Sequence, residues 1–388
     1  MDTYASIADD LAAFRGFLDE NKIDWTQFPV QKLSRPTYRF NGHLKFSVLA
    51  GEIAARTARR RMSNVIAFYR WLTKEGVLLP ANPPWRETDL YVEIKDAHGF
   101  SKTKKIATTD ISIRVPQQRD PYDETIEDGG KLRPMSATEQ KWLIDALSSL
   151  GNTEMTLIHL FGLLTGARIQ TILTIRVRHA LLDLNDIPNG NLAFPIGPGT
   201  GIDTKHDKPM ALHIPVWFYR ILRIYATSDR AKKRRIRAKG GDTEDQYLFL
   251  SQRGAPLYQD KLSAMKFDAT NKLRHKKAGQ GVRQFITERV IPFIREKYKE
   301  KNFHYRFHDT RATAGMNWTD KQLKLVEKGE ITLHEAREFV RSRMGHESSA
   351  TTDGYLQYRR NLKIVRWVEE RHETHLQQLA QQAMKGVH

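Results

Sequence analysis

Gly345-His346-Glu347-Ser348-Ser349-Ala350-Thr351-Thr352-Asp353-Gly354-Tyr355 carries a tyrosine nine positions after a Gly-His pair, across a short Ser/Thr/Gly-rich stretch that reads as a loop. A tyrosine hydroxyl is a poor nucleophile at its ordinary pKa of about 10 and needs a cationic, hydrogen-bonding setting to react. Two earlier segments are equipped to supply that setting: Thr165-Gly166-Ala167-Arg168 and His308-Asp309-Thr310-Arg311. Arginine forks two hydrogen bonds onto the non-bridging oxygens of a phosphate, which lysine does less well. His308 and Arg311 are three apart, so on a helix they share a face and can address one phosphate.

Composition points the same way. The chain has 388 residues, too many for one ordinary core, so two domains are the expectation. Lys and Arg number 63 against 45 Asp and Glu, a net charge of +18 that calls for a polyanion partner: nucleic acid first, an anionic membrane surface second. Cysteine is absent, which excludes disulfides, thiolate zinc sites and cysteine nucleophiles. Met1-Asp2-Thr3 does not open a signal peptide, and no run approaches the roughly 18 apolar residues of a membrane span, so a cytoplasmic protein without membrane contact is expected.

In the first third, Ile7, Leu11, Phe14 and Phe17 predict a helix over about 4–20, and a second helical region follows over about 41–49. Met62, Val65, Ile66, Tyr69 and Leu72 form one face of a third helix, whose start is crowded by Arg56, Arg59, Arg60 and Arg61. Cations at a helix N-terminus oppose its dipole, and the reading adopted is a DNA-backbone contact rather than a solvated turn. Alternation at Leu90, Val92 and Ile94, and again at Ile111, Ile113 and Val115, predicts a β-hairpin around Gly99. The acidic, glycine-containing run from Asp120 to Gly130 reads as a linker.

Beyond it, Ser136-Ala137-Thr138-Glu139 is a capping box opening a helix, and an apolar helix over about 154–164 ends at Thr165-Gly166, just before Arg168. Residues 192–196 and 210–214 read as strands joined by a glycine-rich loop holding Lys205 and Lys208. That loop lacks a Gly-Lys-Ser/Thr ending, so it is no P-loop. The basic run around Lys232, Lys233, Arg234 and Arg235 reads as a second DNA-backbone contact, the alternative being a solvated face. His304 and His308 have metal-ligand spacing but no third ligand, and no metal site is expected. Thr332-Leu333-His334-Glu335 caps a helix that Gly345 ends. Tyr358, three residues past Tyr355, is its rival as nucleophile.

The order Arg168, His308-x-x-Arg311, Gly345-His346, Tyr355 resembles the active-site signature of the tyrosine recombinases, the phage-integrase family, over about residues 132–358. The resemblance implies a mainly α fold with small β-sheets (α+β) that closes on DNA as a C-shaped clamp. It implies a helical core-binding domain over 1–80, an extension with a hairpin over 81–133, a catalytic domain over 134–360 and a C-terminal helix over 361–388, docking in cis or in trans. Tyr355 would attack the scissile phosphate to give a 3′-phosphotyrosyl link and a free 5′ hydroxyl. Arg168, Arg311 and His346 would stabilise the phosphoryl charge, and His308 would assist proton transfer. Lys205, favoured over Lys208, would protonate the leaving oxygen. Neither metal nor other cofactor is implied. The partners would be duplex DNA with specific sites and three further copies in a tetramer, with room for helper proteins. A bacterial, nucleoid-associated setting and a part in moving a mobile element are likewise implied. Thr171 departs from the pattern, because the family commonly has an acid three positions after the first arginine. A type IB topoisomerase, a binding protein with a decayed site and a basic RNA-binding protein are the competing readings.

Overall fold

The structure is a computed structural model and describes residues 2–95, 101–115, 125–182, 190–265 and 277–360. It is mainly helical, with three separate two-stranded antiparallel sheets. The chain divides into two compact units, Met1–Arg119 and Asp120–His388.

The first unit contains α1 (Asp2–Glu20), α2 (Pro36–Leu49), α3 (Ala55–Lys74) and the hairpin of β1 (Glu87–Lys95) with β2 (Ser101–Thr109). The second helix begins five residues before its expected start. Pro36 sits in its first turn, where a missing N–H costs nothing, and apolar periodicity alone does not register that signal. Phe14, Phe40, Met62, Val65 and Tyr69 meet in the core of this unit. The hairpin forms, but its second strand is the lysine- and threonine-rich Ser101–Thr109 and not residues 111–115. Ile111 is instead buried in the helical core, which is why it is apolar.

The second unit opens with β3 (Ile126–Glu127) and β4 (Lys131–Leu132), a minimal hairpin. Then come α4 (Ala137–Leu150), α5 (Thr153–Thr165), α6 (Ile169–Leu173), the pair β5 (Asn191–Ile196) and β6 (Met210–Pro215), α7 (Val216–Thr227), α8 (Asp229–Ile236), α9 (Lys261–Met265), α10 (Gln280–Phe285), α11 (Ile291–Tyr298), α12 (Asp309–Glu327) and α13 (Leu333–Met344). A further helix, α14, covers residues 349–360. Tyr355 therefore sits on a helix and not across a loop. Both expected capping boxes form, at Ser136/Glu139 and Thr332/Glu335, and α5 and α13 end on Gly166 and Gly345 in the left-handed conformation that glycine adopts without strain. The C-terminal tail over 361–388 lies outside the described residues.

One core contact of the second unit has a measurable consequence. His159 is fully buried on α5; its Nδ1 donates to the Met155 carbonyl at 2.7 Å and its Nε2 accepts from the Tyr305 hydroxyl at 3.0 Å. Burial lowers its pKa from 6.5 to about 4. The unfolded chain therefore binds this proton below pH 6.5 while the folded chain does not, and stability falls as pH drops from 6.5 towards 4. The expected loss from this one group is on the order of 2 kcal/mol at pH 5 relative to pH 7. In His159→Gln the pH 7 to pH 5 decrease in urea-unfolding free energy should shrink by about that amount.

Candidate active site

The second unit gathers the residues singled out above around one carboxylate that sequence reasoning missed. Asp128, in the turn between β3 and β4, is 3% exposed, and its Oδ2 accepts three hydrogen bonds. Arg311 Nε donates at 2.7 Å, His346 Nε2 at 3.1 Å and the Tyr355 hydroxyl at 3.1 Å. Arg168 faces Oδ1 at 3.5 Å, and His308 lies close enough to feel the Asp128 charge. Five of the six expected site residues thus meet Asp128, which arrives from a run that reads as a linker.

Four of these partners stand at element ends, and Tyr355 lies within α14. His308 is the N-cap of α12 and Arg311 lies in its first turn. From there Arg311 Nη1 donates to the Gly166 carbonyl and Nη2 to the Met344 carbonyl, each at 2.8 Å. These carbonyls terminate α5 and α13, so one buried cation caps two negative helix ends and pairs with Asp128 as well. Arg168 is the N-cap of α6. His346 follows the last turn of α13 and is locked through Nδ1 by the buried Thr352 hydroxyl at 2.9 Å. Asp309 accepts from the main-chain N–H groups of Arg133 and Arg306, which ties the strand side of the unit to the start of α12.

Tyr355 is wholly buried, its ring packed with Ile126, Met316, Val340 and Met344. Gly315 on α12 leaves the space for it: a methyl group there would stand 2.4 Å from Tyr355 Cε1. Gly315→Ala should therefore push the tyrosine off its place and destabilise the chain by about 1–3 kcal/mol, read as a lowered unfolding midpoint in urea.

The electrostatics suit a resting anion site. Burial opposes ionisation of Asp128, but the His346 hydrogen bond and the Arg311 charge outweigh it and hold the carboxyl well below its usual range. Burial first, and then the Asp128 charge, push Tyr355 well above the ordinary tyrosine range. Burial, with Arg311 and Arg168 nearby, brings His308 down to about 4, so at neutral pH its imidazole is uncharged. Burial and Arg311 bring Arg168 down to about 10.

The two candidate lysines lie on the β5–β6 connection, and both line a small cavity with Arg168, Arg311 and Arg343. Lys208 donates to the Gly345 carbonyl at 3.0 Å, whereas Lys205 Nζ lies over Gly129, 3.1 Å from where a methyl group there would be. Thr171, the departure from the motif, donates to the Asp203 carbonyl at 2.8 Å and so braces the loop that leads to Lys205.

The two basic clusters are partly structural. Arg60 and Arg61 face the buried Asp10, at 2.9 and 3.7 Å, while Arg59 is exposed and Arg56 has a partner of its own. On α8, Arg234 pairs with Glu154 at 2.7 Å, and Arg235, only 4% exposed, bonds Asp242 at 2.5 Å and the Ala226 carbonyl at 2.8 Å. Lys232 and Lys233 remain exposed on that helix. Arg235 is thus a buried ion-pair residue here and not a surface cation. A basic run does not reveal which of its members face inward, because Glu154 and Asp242 are distant or unpatterned in sequence.

No family model matches the sequence, and no curated protein matches it. The chain is similar to solved integrase structures. One is the Tn1549 transposon integrase in complex with transposon right end DNA, at 13% identity over 92% of this chain and 89% of that one, with a TM-score of 0.47. Another is a lambda integrase dimer bound to a COC′ core site, at 14% identity over 92% and 88%, with a TM-score of 0.45. Among the described residues no helix is long and apolar enough to cross a membrane.

Proposed function

We propose that this chain cleaves and rejoins DNA through a covalent tyrosyl-phosphate intermediate, with Tyr355 as nucleophile. The observation that carries this reading is the convergence of the Tyr355 hydroxyl, Arg311 Nε and His346 Nε2 on a single acceptor oxygen. A nucleophile and two donors that meet on one anionic oxygen are what attack on a phosphodiester needs: the donors draw charge from the phosphoryl oxygens as it builds, and the tyrosine stands beside the phosphorus.

In the step itself the Tyr355 oxygen forms a bond to phosphorus and the bond from phosphorus to the 5′ oxygen breaks. The tyrosine proton passes to neutral His308, and Lys205 gives a proton to the departing 5′ oxygen. Arg168 and Arg311 hold the non-bridging oxygens. The phosphotyrosyl bond conserves the energy of the broken linkage, so a 5′ hydroxyl on the same or another strand can reverse the step without a nucleotide cofactor. Strand exchange between specific sites, within a tetramer and in the service of a mobile element, is the use of this chemistry that the motif order supports. The exposed Arg59, Lys232 and Lys233 are the cations offered to the DNA backbone.

The test is covalent trapping. On nicked suicide DNA from its genomic neighbourhood, with EDTA present, the protein should run on denaturing gels as a DNA adduct. Tight binding of such DNA with no adduct would overturn the reading.

A further inference from the structure

The geometry points to Asp128 as an internal occupant of the phosphate site: its carboxylate stands where a phosphoryl oxygen of the DNA must go, and the β3–β4 turn has to withdraw before cleavage. This rests on the function proposed above and adds a gate to it.

The first reason is that the site is already full. Oδ2 takes the very donors, Arg311, His346 and the Tyr355 hydroxyl, that a phosphodiester would need, and Oδ1 faces Arg168. Two anionic oxygens cannot share one point, and a carboxylate left beside a phosphate would repel it. The tyrosine is also disarmed, because its proton is held in a hydrogen bond to a carboxylate whose charge opposes ionisation of the phenol.

The second reason is access. Tyr355 is 0% exposed and Arg311 3%, so no duplex backbone reaches either while the turn is in place. The third is that one element covers everything. Gly129 lies against Lys205 Nζ, and Ile126 packs on the Tyr355 ring, so removal of the turn would uncover both arginines, the histidine and the nucleophile together and free the already exposed lysine from its neighbour. The turn's backbone is lightly paired, so what holds the turn shut is chiefly the Asp128 carboxylate that a phosphate would replace. Its strands pair over only two residues each, and Gly129 and Gly130, at φ 70° and 151°, give it a backbone that other residues would resist.

The rival is that Asp128 positions Arg311 and His346 during catalysis and never leaves. Asp128→Asn separates the two, because it keeps the shape and removes the charge. Inorganic tungstate serves as the phosphate probe, with binding to the full chain followed by calorimetry, alongside adduct formation on suicide DNA. The expected result is tungstate binding about tenfold tighter or more in Asp128→Asn, since the occupant no longer competes, together with faster adduct formation. In wild-type protein, amide exchange at residues 127–131 should speed up when tungstate is added, a measurement that stands even if the variant misfolds. Unchanged or weaker tungstate binding in Asp128→Asn, slower adduct formation, or exchange at 127–131 that tungstate leaves unaltered would each overturn the gate. If neither protein forms an adduct while the tungstate gain persists, the gate stands and the tyrosine chemistry falls.

Discussion

Tyr355→Phe is expected to abolish the covalent DNA adduct, a loss of roughly 10⁴-fold or more, while the protein still folds and still binds DNA. The change removes one oxygen and leaves the ring in its apolar setting among Ile126, Met316, Val340 and Met344. Asp128 keeps its bonds to Arg311 and His346, so the cost in stability should stay near about 1 kcal/mol. Tyr358→Phe is the matched control. Tyr358 packs against the same small cluster, and the adduct yield of its variant should remain at the wild-type level. Gel shift and circular dichroism on both variants separate lost chemistry from lost structure.

The second large effect belongs to Arg311→Ala. Arg311 is 3% exposed and its three nitrogens serve Asp128 and the carbonyl ends of α5 and α13. Its removal strands a buried carboxylate and two helix ends, which should cost about 3–5 kcal/mol. For a unit of this size that corresponds to a fall of roughly 10 °C in the unfolding midpoint, measurable by calorimetry. Arg311→Lys should recover only part of it, since an ammonium cannot spread three planar donors over three acceptors. The double variant Arg311→Ala with Asp128→Ala should be more stable than Arg311→Ala alone, because the buried charge that has lost its strongest partner goes too. Strict additivity of the two losses would show that the pair does not interact.

What was legible in the sequence was local. Capping boxes at Ser136 and Thr332, the glycines that end α5 and α13, and the strands around Lys205 each announce themselves within a few residues. The site residues could be read as one set because each lies in a short motif and the order of the motifs resembles a known signature, and the structure brings Arg168, His308, Arg311, His346 and Tyr355 to one carboxylate. That carboxylate was not legible. Asp128 lies 183 residues from Arg311 and 218 from His346, in an acidic run with no periodicity to distinguish it from a linker. The strand at 101–109 was hidden because it carries too few large apolar side chains to alternate, and α14 because Ser, Thr and Gly read as loop although residues 349–360 are helical. The burial of Arg235 depends on Asp242 and the end of α7, which is a tertiary fact.

The most direct measurement is to digest the trapped adduct with trypsin and sequence the peptide that retains the nucleotide by mass spectrometry. The expected result is a nucleotide phosphate on Tyr355, within the peptide that spans residues 344–359. Attachment at Tyr358, or at any other residue, would contradict the assignment of the site.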